Sequence, residues 1–209
     1  MIKVGIDFSL TSPAICVYKN GEYSFISFFS DGGKDWKHSK SKTYRYHNDL
    51  CKIIDVIPYT RNIDDSNYRN EQKTKMADAL MIVNLIIEKL KAIIDDEVII
   101  GLEGFSYGSI SSSALDLAMY NSFLRMKLIE NFGSDCLNII SPTEGKKMLF
   151  GKGNAKKEEM IQAFIDNRLE DDVLMMNAFW QYCKINGVDF KQPKPIDDLV
   201  DAYGILKSI

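Results

Sequence analysis

Apolar positions come in short runs at the start of this chain and turn to helical spacing after its first third. IKVGIDFSL, AICVYKN and YSFISFF are β-branched and aromatic-rich and read as three strands. Asn20-Gly21 between the second and third is a strong hairpin signal, and the polar stretch from Ser9 to Pro13 turns the first into the second. Three antiparallel strands are therefore expected first. From about residue 31 to 75 the apolar pattern gives way to Gly, Asp, Lys, Ser, Asn and Tyr, with a short strand or turn expected at KIIDVIPY. From roughly Gln72 to Ile94, Met76, Ala79, Leu80, Val83, Ile86, Ile87, Leu90 and Ile94 recur at helical spacing, which predicts a long amphipathic helix.

EVIIGLE follows as a nearly all-apolar run, the pattern of a strand buried on both faces. A second helix is predicted from about Ser112 to Asn131, and CLNIIS reads as another buried strand. SPTEGKKMLF opens like a helix, with Ser141 as N-cap, Pro142 at the first position and Glu144 three residues on. KKEEMIQAFIDNRL is amphipathic, and a last helix is expected from near Pro195 to the end. The order βββ–insertion–α–β–α–β–α–α predicts an α/β layered protein with a mixed sheet.

Against this pattern four acids stand out. Asp7 ends MIKVGID, Glu103 ends EVIIGLE, and Asp198 and Asp201 stand three apart in PIDDLVDAYGIL, on one helix face. An Asp after a strand is often a turn-former, and acids in a first helical turn answer the helix dipole. Asp201 lies a turn further in beside apolar neighbours, where neither explanation serves well. Carboxylates at buried strand ends are costly unless something binds them. Hard Mg²⁺ takes oxygen ligands and leaves positions for phosphate, and two such ions flank an in-line phosphoryl displacement. Asp197 is an alternative ligand, since i, i+4 also aligns it with Asp201.

Other chemistry clusters around the quartet. Phe105 and Tyr107 sit in the glycine-bracketed loop after Glu103, either as ordinary packing or as a stacking surface for unpaired bases. Lys146, Lys147, Lys152, Lys156 and Lys157 fall within a glycine-rich stretch ahead of a helix. It lacks the G-x-x-x-x-G-K-[ST] of a P-loop but suits contact with phosphates. In the 31–75 insertion, Lys34, Lys37, Lys40, Lys42 and Arg45 interleave with Trp36, Tyr44 and Tyr46, a pattern of a nucleic-acid surface or of a solvated loop. Both histidines, His38 and His47, fall there, and neither is given a catalytic role.

Composition narrows the picture only slightly. At 209 residues, 45% hydrophobic and 26% charged, one ordinary globular domain is expected over 1–209, decorated by insertions at about 31–75 and 170–195. The net charge of -3 does not advertise a nucleic-acid binder, but binding follows local charge, and an acidic site offsets lysines elsewhere. Cys16, Cys51, Cys136 and Cys183 are widely spaced with no C-x-x-C, so reduced thiols are expected and no zinc site. With no signal peptide and no membrane-length apolar stretch, a cytoplasmic protein is expected.

Taken together, GIDFSLTSPAICV, the Glu103 strand, GKGNAKKEEMI and DDLVDAYGI resemble the RuvC-type Holliday junction resolvases of the ribonuclease H-like superfamily, the phage-encoded branch in particular. Ser113-Ala114-Leu115, and Ser141-Pro142 followed by a lysine, fall where that family has similar elements. The resemblance implies a ribonuclease H-like mixed sheet flanked by helices, with Asp7, Glu103, Asp198 and Asp201 as catalytic metal ligands for two Mg²⁺ ions, Mn²⁺ being the alternative. It further implies phosphate contacts by Lys146 and Lys157, with Lys152 and Lys156 nearby, and a junction-probing aromatic at Phe105 or Tyr107. It also implies a homodimer acting on branched DNA, in a bacterial cell or a phage-infected host.

The expected activity is metal-dependent hydrolysis of a phosphodiester at a four-way junction. Rivals are a fork, flap or RNA–DNA hybrid nuclease, and a non-catalytic branched-DNA binder that would have no need of four acids. A sugar-kinase-like ATPase would require phosphate loops and a second domain for which the chain has no room.

Overall fold

The computed structural model describes residues 1–30, 54–105, 111–168 and 196–209. Its elements are β1 (Ile2–Asp7), β2 (Ala14–Lys19), β3 (Glu22–Ser30), β4 (Asp55–Tyr59), α1 (Tyr68–Ile93), β5 (Val98–Glu103), α2 (Ser112–Phe132), β6 (Leu137–Ile140), α3 (Pro142–Phe150), α4 (Lys157–Arg168) and α5 (Ile196–Lys207). The strands form one sheet in the order β4-β3-β2-β1-β5-β6. β1, β2 and β3 are antiparallel, as their hairpin spacing predicts, while β5 and β6 add in parallel to β1. Asn20 and Gly21 both take positive φ, 55° and 87°, which two central hairpin residues need to match the strand twist.

Two local readings are adjusted by the structure. The segment from Asp55 to Tyr59 joins the sheet as β4, parallel to β3, and so belongs to the fold rather than to a decorating insertion. Pro58 is tolerated there because β4 is an edge strand with a side that needs no ladder donor. Helix α1 begins at Tyr68 rather than near Gln72, capped by Asn67, whose side chain accepts the Asn70 N–H at 3.0 Å. Its first turns are polar and exposed, so apolar periodicity could not register them. The basic and aromatic residues at 34–47, Cys51, Cys183 and the expected second insertion at 170–195 lie outside the described residues. Cys16 and Cys136 form no disulfide with each other.

Alternation along the strands builds two apolar layers. Val4, Ile6, Ile15, Val17, Ile100 and Leu102 face α1 and α2, while Ala14 and Cys16 face α3, α4 and α5. On this second face the central strands carry small residues, Gly5 and Gly101 among them. A Cβ on Gly5 would overlap the Ala202 carbonyl oxygen and stand 2.8 Å from Leu206 Cβ; one on Gly101 would stand 2.9 Å from Ile205 Cγ2. Helix α5 is therefore seated almost on the backbone of β1 and β5. Gly204 makes the same close approach to α3, with a Cβ there falling 3.0 Å from the Gly145 carbonyl oxygen.

Gly5→Ala is expected to push α5 off the sheet, at a cost of about 1–3 kcal/mol or more for overpacking. Thermal denaturation would read this as a Tm lower by roughly 2–12 °C. An unchanged Tm would mean that α5 is not seated as described.

Candidate active site

The geometry of the acids follows from that seating. Asp7 lies two residues beyond Gly5 and Glu103 two beyond Gly101, so by strand alternation both side chains emerge on the α5 face. β1 and β5 run parallel with Gly5 opposite Gly101 and Ile6 opposite Leu102, which brings Asp7 level with Glu103. α5 crosses in the opposite sense, with Ala202 and Leu206 over Gly5 and Ile205 over Gly101. Two strand residues advance about 6.6 Å and four helical residues about 6 Å. Asp198, four before Ala202, therefore comes level with Asp7, and Asp201, four before Ile205, with Glu103.

The electrostatics agree with this placement. Burial pushes the Glu103 carboxyl above its ordinary value; a hydrogen bond with Asp7 and the Lys146 charge pull it back, and the Asp198 charge adds to the rise. Burial first, then the charges of Glu103 and Asp198, push Asp201 up to about 7, with Lys146 partly offsetting them. Asp7 and Asp198 are only 7% and 4% exposed. Ser12, in the β1–β2 turn, donates its hydroxyl to Asp198 Oδ2 at 2.7 Å.

The adjacent acids of α5 take different partners. Asp197 is ion-paired with Lys157 at the start of α4, while Asp198 takes the Ser12 hydroxyl. Lys146, Lys157, Asp197 and Asp201 line a small cavity of about 40 Å³ together with Ala155, Met160, Ile161 and Val200. Two of the four expected DNA-contacting lysines thus stand beside the acids. Lys152 and Lys156 are solvent-exposed on the turn between α3 and α4. Phe105 is half-buried under Arg125, whose guanidinium lies 4.6 Å from the ring centre. Tyr107 is outside the described residues.

Several participants carried no legible signal in the sequence. Ser12 is one polar residue of a turn. Asn121 and Arg125, on α2, reach the Glu103–Phe105 turn from the far side: Asn121 Nδ2 donates to the Glu103 carbonyl at 3.5 Å and its Oδ1 accepts Arg125 Nε at 2.7 Å. Next to Asn121, Tyr120 donates to the buried Asp78 at 2.7 Å, and Arg61 bonds both at 2.8 and 3.0 Å, tying β4's end to α1 and α2. Gly5 and Gly101 did have a signal, since glycine inside a strand often marks close backbone approach.

The donor set suits a hard divalent cation: four carboxylates, with no sulfur or imidazole among them, and Lys146 opposing the charge on Glu103 and Asp201. A carboxyl lifted to about 7 by burial and by its acidic neighbours is a group whose charge a cation would restore. Among the described residues no three His, Cys, Asp or Glu side chains close on a common point as ready-made ligands. Ser12 holds Asp198 instead, and Asp7 and Glu103 hydrogen-bond one another. The chemistry fits; closing on an ion requires those bonds to be exchanged.

The mixed six-stranded sheet, antiparallel then parallel, flanked by helices on both faces, is a ribonuclease H-like fold. Two solved structures of Thermus thermophilus RuvC, one of them in complex with a Holliday junction substrate, match 100% of this chain and 92% of their own, each with a TM-score of 0.50 and 15% identity. At that identity the likeness is one of fold. No protein-family model and no curated protein matches the chain. Among the described residues no helix is long and apolar enough to cross a membrane.

Proposed function

We propose that this chain is a divalent-cation-dependent endonuclease that cuts four-way DNA junctions. The observation that carries the reading is the meeting of Asp7 and Glu103, at parallel strand ends, with Asp198 and Asp201 on α5, with two lysines alongside. The sequence resemblance to the phage-like branch of RuvC-type resolvases agrees with it. So does the junction-bound state of the Thermus neighbour.

Asp7, Glu103, Asp198 and Asp201 would hold two ions, Mg²⁺ or Mn²⁺. Bound there, the ions would supply a nucleophile at neutral pH and charge stabilisation for the leaving oxygen. Ser12 orients Asp198 from the β1–β2 turn. Asp7 and Glu103 would exchange their mutual hydrogen bond for the ion when both carboxylates are taken as ligands. Lys146 stands where it offsets the charge of Glu103 and Asp201, and Lys157 borders the same cavity. Both would contact phosphate, which positions the backbone without reading sequence. A homodimer would present two such sites to opposed strands, as a two-fold junction requires.

Synthetic four-way junctions, forks, flaps and RNA–DNA hybrids offered with Mg²⁺, Mn²⁺ or chelator test this directly. Cation-dependent cut products are expected, with paired nicks in the junction strongest. Preferential cutting of flaps or hybrids would transfer the chemistry to another substrate. Junction binding with no cutting under any cation would make this a non-catalytic binder and refute the proposal.

A further inference from the structure

Beside the four acids lies a fifth, Asp197, to which the sequence resemblance gives no role. It stands in the first turn of α5, one turn before Asp201, and its charge adds to the rise of the Asp201 carboxyl. Its partner Lys157 opens α4, whose first turn is fixed by Glu159 accepting the Lys156 N–H at 2.7 Å. The ion pair is lopsided: the Asp197 side chain is 2% exposed, that of Lys157 55%. An ammonium has three donors, so one can serve the buried carboxylate while others serve the solvent side. Lys146, Lys157, Asp197 and Asp201 line one cavity of about 40 Å³, large enough for a water or a phosphate oxygen.

Two comparisons fix what Asp197 can do. A phosphate that pulled Lys157 away would strand a carboxylate that water barely reaches, and breaking a buried pair in this way is strongly unfavourable. The phosphate therefore meets the ammonium while it is still on Asp197. A cation taking Asp197 would have to displace an ammonium, whereas one taking Asp198 displaces a neutral hydroxyl.

We propose that Asp197 is a positioning residue: it tethers the Lys157 ammonium at the edge of the cavity beside Asp201, so that the lysine meets phosphate in one place, and it is no cation ligand itself. The proposal rests on the reading of the four acids as a cation-dependent cutting site. Lysine carries its charge on a flexible four-carbon stem, and tethering orders that stem before the substrate arrives. An untethered lysine still attracts the DNA backbone but is not held at the phosphate being cut. The tether thus acts on rate more than on affinity.

The full-length protein should be tested by junction binding in chelator across a salt series and by single-turnover cleavage across a Mg²⁺ series. Asp197→Asn keeps the size and removes the charge, and the lysine left behind is half-exposed and hydrates. A thermal scan checks that it folds, with Asp197→Ser as the replacement if it does not. Asp197→Asn is expected to bind as tightly as wild type or tighter, with an unchanged salt slope. It should cut about 10-fold more slowly at saturating Mg²⁺, the low end of what loss of a supporting partner costs, with the half-saturating Mg²⁺ unchanged. Lys157→Met should lower the salt slope by about one and cut at least as slowly. The double variant should cut no more slowly than Lys157→Met. Asp197→Glu, with the cavity to take its extra methylene, should regain most of the rate.

A wild-type or faster rate for Asp197→Asn would overturn the inference. So would a half-saturating Mg²⁺ raised severalfold with the rate recovered at high Mg²⁺, which would make Asp197 a cation ligand. A further 10-fold loss in the double variant would also overturn it, since Asp197 would then act apart from Lys157. A wild-type protein that binds junctions but cuts none under any cation is a different failure: it removes the reading of the four acids, and this inference with it.

Discussion

Asp7→Asn is expected to lower cation-dependent cleavage of a four-way junction by more than about 100-fold, beyond the range usual for residues that merely support a metal ligand. Asp7 is buried, 7% exposed, paired by register between Ala14 and the end of β5 and hydrogen-bonded to Glu103. Asn keeps its size and its capacity for a hydrogen bond to Glu103, so the strand end should be undisturbed. It removes one negative charge and one anionic ligand. Junction binding in chelator should then be unchanged or tighter, since a charge that repels phosphate is gone. Single-turnover cleavage and gel-shift binding, measured together, separate the two effects. A variant that binds and cuts like the parent would remove Asp7 from the mechanism.

The metal-free protein is expected to lose stability as pH rises from about 4 to about 7. Asp201 is held at about 7 in the fold, against an ordinary 3.8, by burial and by the charges of Glu103 and Asp198. Glu103 is raised as well. Between those values the folded chain binds more protons than the unfolded one, so stability falls with pH and levels off above the folded value. Each pKa unit corresponds to about 1.4 kcal/mol, which sets a ceiling on the order of 4 kcal/mol for Asp201. For a chain of this size that is a Tm loss of up to roughly 16 °C.

Asp201→Asn should remove most of the slope: nearly the parent's Tm at pH 4, and a higher one than the parent at pH 8, with activity lost. Mg²⁺ added to the parent should flatten the slope by neutralising the same charges, a mass-action stabilisation absent from the variant. Calorimetric scans across pH, with chelator or Mg²⁺, provide the check. A metal-free Tm that rises over this window would contradict the crowding of acids on which the site is read.

Much of the fold was legible in local pattern. The hairpin at Asn20-Gly21, the buried β5 run, the Ser141-Pro142 helix start and the period of α1 each follow from rules that act within a few residues, and each appears in the structure. Two elements were underread for physical reasons. β4 is short, interrupted by Pro58 and placed at a sheet edge, so it carries little apolar signal. The first turns of α1 are polar and solvated, and only the Asn67 cap marks where they begin.

The four acids were visible because carboxylates at the ends of apolar runs are out of place by composition alone, and that is a matter of sequence. Their convergence is not. It depends on α5 lying against β1 and β5 closely enough for four helical residues to match two strand residues, which Gly5, Gly101 and the Gly145–Gly204 contact allow. The same packing separates the neighbours Asp197 and Asp198, turning one to Lys157 and the other to Ser12, where sequence spacing left both open as ligands. Asn121 and Arg125 reach the Glu103 turn only because α2 folds back beside it. Chemistry that needs an unusual residue type is written locally; chemistry that needs ordinary residues brought together from distant segments is decided by packing.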